Sequence, residues 1–132
     1  MSTTVIQADT LTLRCHVFDK PVTGKSGYVC VDKKAVYETQ RLVEEWEARN
    51  PGPVISGSAL LDYPSSTPWH IYHRTCDPRP DSDSDYWFWA SQVRTAFDLL
   101  GWTAHLLGKE WLKDTNWSEF LYGILKANGW RE

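Results

Sequence analysis

At 132 residues, with 42% hydrophobic and 23% charged side chains, the chain has the size and composition of one globular domain, 1–132, able to bury a core without staples. Its net charge of −3 is evenly spread: residues 1–68 hold seven Lys/Arg against eight Asp/Glu, and residues 69–132 seven against nine. That leaves no surplus of cations for phosphate neutralisation and argues against sequence-independent nucleic-acid binding.

No run approaches the length of an apolar membrane span, and Met1-Ser2-Thr3-Thr4 lacks the basic start and apolar stretch of a signal peptide. Three cysteines, Cys15, Cys30 and Cys76, form no disulfide framework and read as free thiols in a cytoplasmic protein.

In chain order, Thr4–Gln7 is a short strand candidate. Leu11, Leu13, Cys15 and Val17 then alternate with polar residues, the period of a half-buried strand. After the loop Asp19–Gly27, Tyr28–Val31 is expected as its hairpin partner. Asp32 is placed to cap a helix over Lys33–Arg49, with Val36, Thr39, Val43 and Trp46 on one stripe and Lys34/Glu38, Arg41/Glu45 and Glu45/Arg49 spaced for ion pairs. Asn50-Pro51-Gly52-Pro53 ends it. Two further strands are expected at Val54–Leu61 and Trp69–Arg74. A second helix is expected from Ser84 or Asp85 to at least Leu100, with a bend or break at Gly101 before Leu107. A last helix follows Asn116, which with Glu119 resembles a capping box, and stops at Asn128-Gly129. The expected fold class is α+β: a small, mostly antiparallel sheet of about four strands and one helix from the N-terminal half, packed by two to three helices of the C-terminal half.

Eight tryptophans are the most unusual feature, because each indole offers a large apolar area and an N–H that wants a partner. Most lie in the second half, and Tyr86-Trp87-Phe88-Trp89 is their densest point. On a helix, four consecutive residues spread over roughly 300° of the circumference. A stripe centred on Val93 takes Tyr86, Trp89, Phe97, Leu100, Ala104, Leu107 and Trp111, whereas Phe88, Leu99, Trp102 and Leu106 gather on the other side, with Trp87 also off the stripe. This reading gives the second helix two apolar faces, the second of them a candidate partner surface around Trp87, Phe88, Trp102 and Leu106. Trp117 and Trp130 would rim it, and Asp81, Asp83 and Asp85 would steer it toward a basic partner.

The motifs for chemistry are incomplete. Gly24-Lys25-Ser26 lacks the first glycine of a phosphate loop, since Asp19 stands there. Asp81, Asp83 and Asp85 match the first ligand positions of a calcium loop, but Tyr86 replaces its glycine and Gln92 its bidentate glutamate. Glu44, Glu45 and Glu47 lie on a solvated helix face, and His105 stands alone on a helix. His70, His73 and Cys76 are the best catalytic or zinc candidates. On a strand, however, His70 and His73 point to opposite sides, so a site would need Cys15, His16 or Cys30 brought alongside. No metal, cofactor or catalytic set is therefore expected.

The leading functional expectation is a small non-enzymatic binding protein acting by protein–protein contact, an inhibitor or antagonist of the kind seen among bacterial immunity proteins and phage anti-defence proteins, with a homodimer as one form of contact. This is an analogy of type and size rather than of motif. One alternative is a small-molecule or nucleotide-signal binder with an aromatic pocket using Trp69, Tyr72, Arg74, Arg79 or Arg94. The second alternative is a Cys/His enzyme or zinc protein.

Overall fold

A computed structural model of the chain describes residues 10–80 and 82–131, and the fold is α+β. The strand candidate Thr4–Gln7 and Asp81 lie outside the described residues. β1 (Leu13–Arg14) and β2 (Pro21–Val22) form a short antiparallel ribbon. β3 (Gly27–Asp32) is the central strand of a separate three-stranded sheet, flanked by β4 (His70–His73) and β5 (Asp85–Trp89), both antiparallel to it. β1 thus pairs with β2, and the expected hairpin with Tyr28–Val31 does not form.

The helices are α1 (Lys33–Arg49), α2 (Gly57–Leu61), α3 (Ala96–Leu107) and α4 (Trp117–Ala127). α1 has the expected bounds. Asp32 Oδ1 accepts from the N–H groups of Lys34 and Ala35, Val36, Thr39, Val43 and Trp46 are buried, and Arg41 pairs with both Glu38 and Glu45 on the solvent side.

Two expectations need correction. Val54–Leu61 is not a strand: Ser56 caps the single-turn helix α2, and the Trp46 indole N–H donates to Ala59 O to hold it against α1. More consequentially, the second helix does not begin at Ser84 or Asp85. Tyr86-Trp87-Phe88-Trp89 lies in β5, paired to β3 through Val29–Phe88 and Val31–Tyr86. Aromatic residues suit a pleated, half-buried surface, and alternation resolves the crowding that a helix imposes: Phe88 enters the core while Trp87 faces outward. The helix starts only at Ala96, after the cap where Thr95 Oγ1 accepts from Asp98 N–H and Asp98 Oδ2 accepts from Thr95 N–H. It then runs through Gly101 without a break.

One core joins the elements. Trp69 sits at its centre with ring contacts to Tyr86, Phe88, Trp111, Trp117 and Phe120, and its indole N–H donates to Thr115 Oγ1. Trp117 is likewise buried, with its N–H on Thr103 Oγ1. α4 follows the expected face, Phe120 and Ile124 buried, but Asn116 makes no side-chain cap. Its Oδ1 accepts instead from Trp69 N–H, fixing β4 to the start of α4. Among the described residues no helix is long and apolar enough to cross a membrane.

Candidate functional site

The two sides of α3 carry opposite assignments to those expected from the sequence. Leu99 and Leu106 are fully buried, Leu106 with no exposure at all, and Trp102 lies flat on Phe88 at 3.9 Å with its indole N–H donated to Gln92 O. Phe88, Leu106 and Trp117 are therefore core residues and do not form a partner surface. Trp102 is partly buried against the core. The stripe expected to face the core is the one left open: Phe97, Leu100 and Leu107 are 79%, 64% and 71% exposed, and Ala104 is exposed between them. Spaced i, i+3, i+7 and i+10, these four make one continuous apolar row along the helix. Beside it, Phe97, Gly101, Trp102 and His105 line a depression of about 310 Å³. The reason for the inversion is the point at which the helix starts. With β5 supplying Phe88 as the packing partner, α3 turns Leu99, Trp102 and Leu106 toward the sheet.

A second concentration of chemistry lies on the outer face of the sheet, where Tyr28, Trp87 and Trp89 group together. Tyr28 contacts both indoles, at 5.7 and 6.1 Å between ring centres, and Arg74 lies over Trp89 at 5.8 Å. With Arg79 and Asp83 they border a cleft of about 420 Å³. Of the expected partner surface, Trp87 and the rim residue Trp130 keep openly exposed rings, at 47% and 43%. Asp85 is not free to steer a partner: its side chain is largely buried, and Arg79 Nη2 sits 2.9 Å from its Oδ1. Asp83 remains exposed. Of the residues expected to bind a small ligand, Arg74 and Arg79 reach this cleft. Tyr72 lines an adjoining hollow with Arg79, Trp69 is consumed by the core, and Arg94 is exposed at the start of α3.

The Cys/His residues divide as the strand geometry requires. His70 turns to His16, Nδ1 to Nδ1 at 3.2 Å, and burial holds both imidazoles below the ordinary histidine value, with the neighbouring His70 charge adding to the effect on His16. His73 turns to the other side of β4, where the structure brings it together with Cys15 and Cys76, all three ligand atoms lying within 4.8 Å of one another. Burial opposes ionisation of Cys15, but hydrogen bonds from the backbone of His73, Phe18 and Val17, and from the His73 side chain, outweigh it and bring the thiol down to about 7. Cys76 is held above the ordinary thiol value by desolvation and by Cys15. The contribution of Cys15 was invisible to spacing, because it arrives from the end of β1, far along the chain.

No family model matches the chain, and no curated protein or solved structure is detectably similar to it.

Proposed function

We propose that the protein is a small binding protein that acts by protein–protein contact, in the manner of an inhibitor or antagonist, and that α3 is the element it offers. The observation carrying this reading is the exposed row of Phe97, Leu100, Ala104 and Leu107. An amphipathic helix with anchors at this spacing suits an apolar groove on a partner, and contiguous exposed apolar patches on soluble proteins mark interaction sites more often than they mark nothing. Within α3 the only carboxylate is Asp98, and it is engaged in the N-terminal cap. The partner surface is accordingly apolar, which replaces the expectation of a basic one.

The test compares captures made side by side with the wild-type chain and with a Leu100→Glu/Leu107→Glu variant, after circular dichroism has shown both to be folded. A partner retained by the wild type and by Trp87→Ala, but released by the double variant, is the expected result. Light scattering on the isolated chains identifies the case in which the partner is a second copy. Capture unaffected by the double variant removes α3 from the reading.

The outer-face cleft favours a second reading, a ligand with a flat ring and an anionic group. Tyr28, Trp87 and Trp89 supply stacking surfaces and Arg74 the cation. A thermal-shift series with mononucleotides and dinucleotides should raise the melting temperature of the wild type by several degrees and leave a Trp87→Ala/Arg74→Ala variant unmoved. A flat series for the wild type disposes of it.

A further inference from the structure

Two segments distant in sequence converge on one point outside both surfaces. Cys15 follows β1, His73 ends β4, and Cys76 closes the turn after it, its N–H donating to His73 O at 2.9 Å. Gly27 makes the convergence possible, because a Cβ there would collide with Tyr72 O and with Val22 Cγ1. Its absence lets β2 settle against β3 and β4. Pro21 O then lies 2.9 Å from His73 Nε2.

That last contact fixes the histidine. A carbonyl oxygen only accepts, so Nε2 carries the hydrogen and Nδ1 of the neutral ring keeps its lone pair. Nδ1 faces Cys76 Sγ at 3.8 Å, with Cys15 Sγ close by. A ring nitrogen aimed at two thiols, with the other nitrogen held by a backbone carbonyl, is the outer-shell pattern of a metal-bound histidine.

The distances agree. With Zn–S near 2.3 Å and Zn–N near 2.0–2.1 Å, tetrahedral coordination separates sulfur from sulfur by about 3.8 Å and sulfur from nitrogen by about 3.6 Å. The observed separation of 3.8 Å, with all three atoms within 4.8 Å, needs only small side-chain adjustment.

We propose that Cys15, His73 and Cys76 bind a thiophilic divalent cation, zinc, through two thiolates and one imidazole nitrogen, leaving a fourth position for water or an external donor. Two sulfurs and a nitrogen with no carboxylate select zinc over calcium or magnesium. Binding displaces the thiol protons and ties the β1–β2 ribbon to the end of β4.

The molecule supplies its own contrast. Cys30, Asp77 and Asp85 also lie close together, but Arg79 already provides the cation there, and burial pushes the Cys30 thiol up to about 12. That cluster is an internal ion pair.

The experiment uses the reduced full chain, stripped of metal and titrated with zinc against a chromophoric chelator and, separately, with cobalt. One equivalent per chain is expected, with thiolate-to-cobalt charge transfer and the strong visible bands of tetrahedral cobalt. At a hundred-fold excess of free zinc over its dissociation constant the melting temperature should rise by roughly 10 °C.

Cys76→Ser and His73→Ala, both at half-buried positions, should each weaken uptake by at least the roughly 100-fold that loss of an outer-shell partner alone can cost. Cys30→Ser, on the other face of β3, and Leu100→Glu/Leu107→Glu should bind as the wild type does. The proposal is overturned by an absence of stoichiometric uptake, by uptake that Cys76→Ser and His73→Ala leave unchanged, or by isolation of the chain with Cys15 and Cys76 joined in a disulfide. None of these outcomes bears on the α3 surface.

Discussion

The two sides of α3 are built from the same residue types and meet opposite fates. Leu99, Trp102 and Leu106 are spent inside the fold, whereas Phe97, Leu100 and Leu107 meet solvent. Hydrophobicity alone does not tell them apart. What separates them is β5, which places Phe88 where Trp102 can stack on it and so decides which way the helix turns. Composition shows that a helix carries two apolar faces, but only the neighbouring element says which one is free.

The same division sorts the tryptophans. Trp46, Trp69, Trp111 and Trp117 are buried, and the first two and Trp117 have their indole N–H groups satisfied inside the chain. Their abundance is mainly a structural device, an aromatic core in which one ring braces the next. Trp87 and Trp130 are the openly exposed exceptions.

The sharpest way to break the comparison is a pair of substitutions one residue apart. Leu106→Ala should destabilise the fold by about 3 kcal/mol, the cost of a fully enclosed leucine and the cavity it leaves. Leu107→Ala should stay within about 0.5 kcal/mol. Urea unfolding with an unchanged slope reads both, and equal losses would show that the exposed row is packed after all. Trp102→Ala against Trp87→Ala repeats the contrast on aromatics. The first loses the Phe88 stack and the bond to Gln92 O and should cost about 2–3 kcal/mol. The second, with its ring half in solvent, should cost less than about 1 kcal/mol.

Thr95→Ala sharpens the picture differently. It removes the reciprocal bonds with Asp98 that open α3, a loss of about 1 kcal/mol. Because the frayed turn carries Phe97 on one side and Leu99 on the other, stability and partner capture should fall together. A variant that loses only one of them would separate the helix start from the surface it supports.

How much of this was legible depended on whether the signal was local. The bounds and buried stripe of α1 could be read, since its cap, its stripe and its terminator lie within one segment, whereas Glu38 pairs with Arg41 and not with the expected Lys34. β4 and the buried face and stop of α4 were legible from equally local patterns, but the side chain of Asn116 is taken by Trp69 N–H and does not cap the helix. β5 was not, and the clue was present: four adjacent aromatics overfill any helical stripe but alternate comfortably in a strand, and Thr95-x-x-Asp98 already marked the true helix start. The Cys15–His73–Cys76 cluster was half visible. His73 and Cys76 stand in one turn, but Cys15 joins them only through the β1–β2 ribbon, a tertiary fact that spacing does not encode.

Gly101 carries a small expected effect and the most discriminating one. It sits in the interior of α3 with open space where a Cβ would go, so internal packing does not require a glycine. Replacing it with alanine relieves the entropic penalty of a helical glycine and should stabilise the fold by about 0.5–1 kcal/mol. The added methyl group also enters the depression between Phe97 and Trp102. A partner that docks along the row and seats a side chain there should bind Gly101→Ala more weakly even though the protein itself is more stable. Competition between wild type and variant for the captured partner measures that opposition. Gains in both stability and binding would mean that the contact ends at the row of Phe97, Leu100, Ala104 and Leu107 and leaves the depression unused.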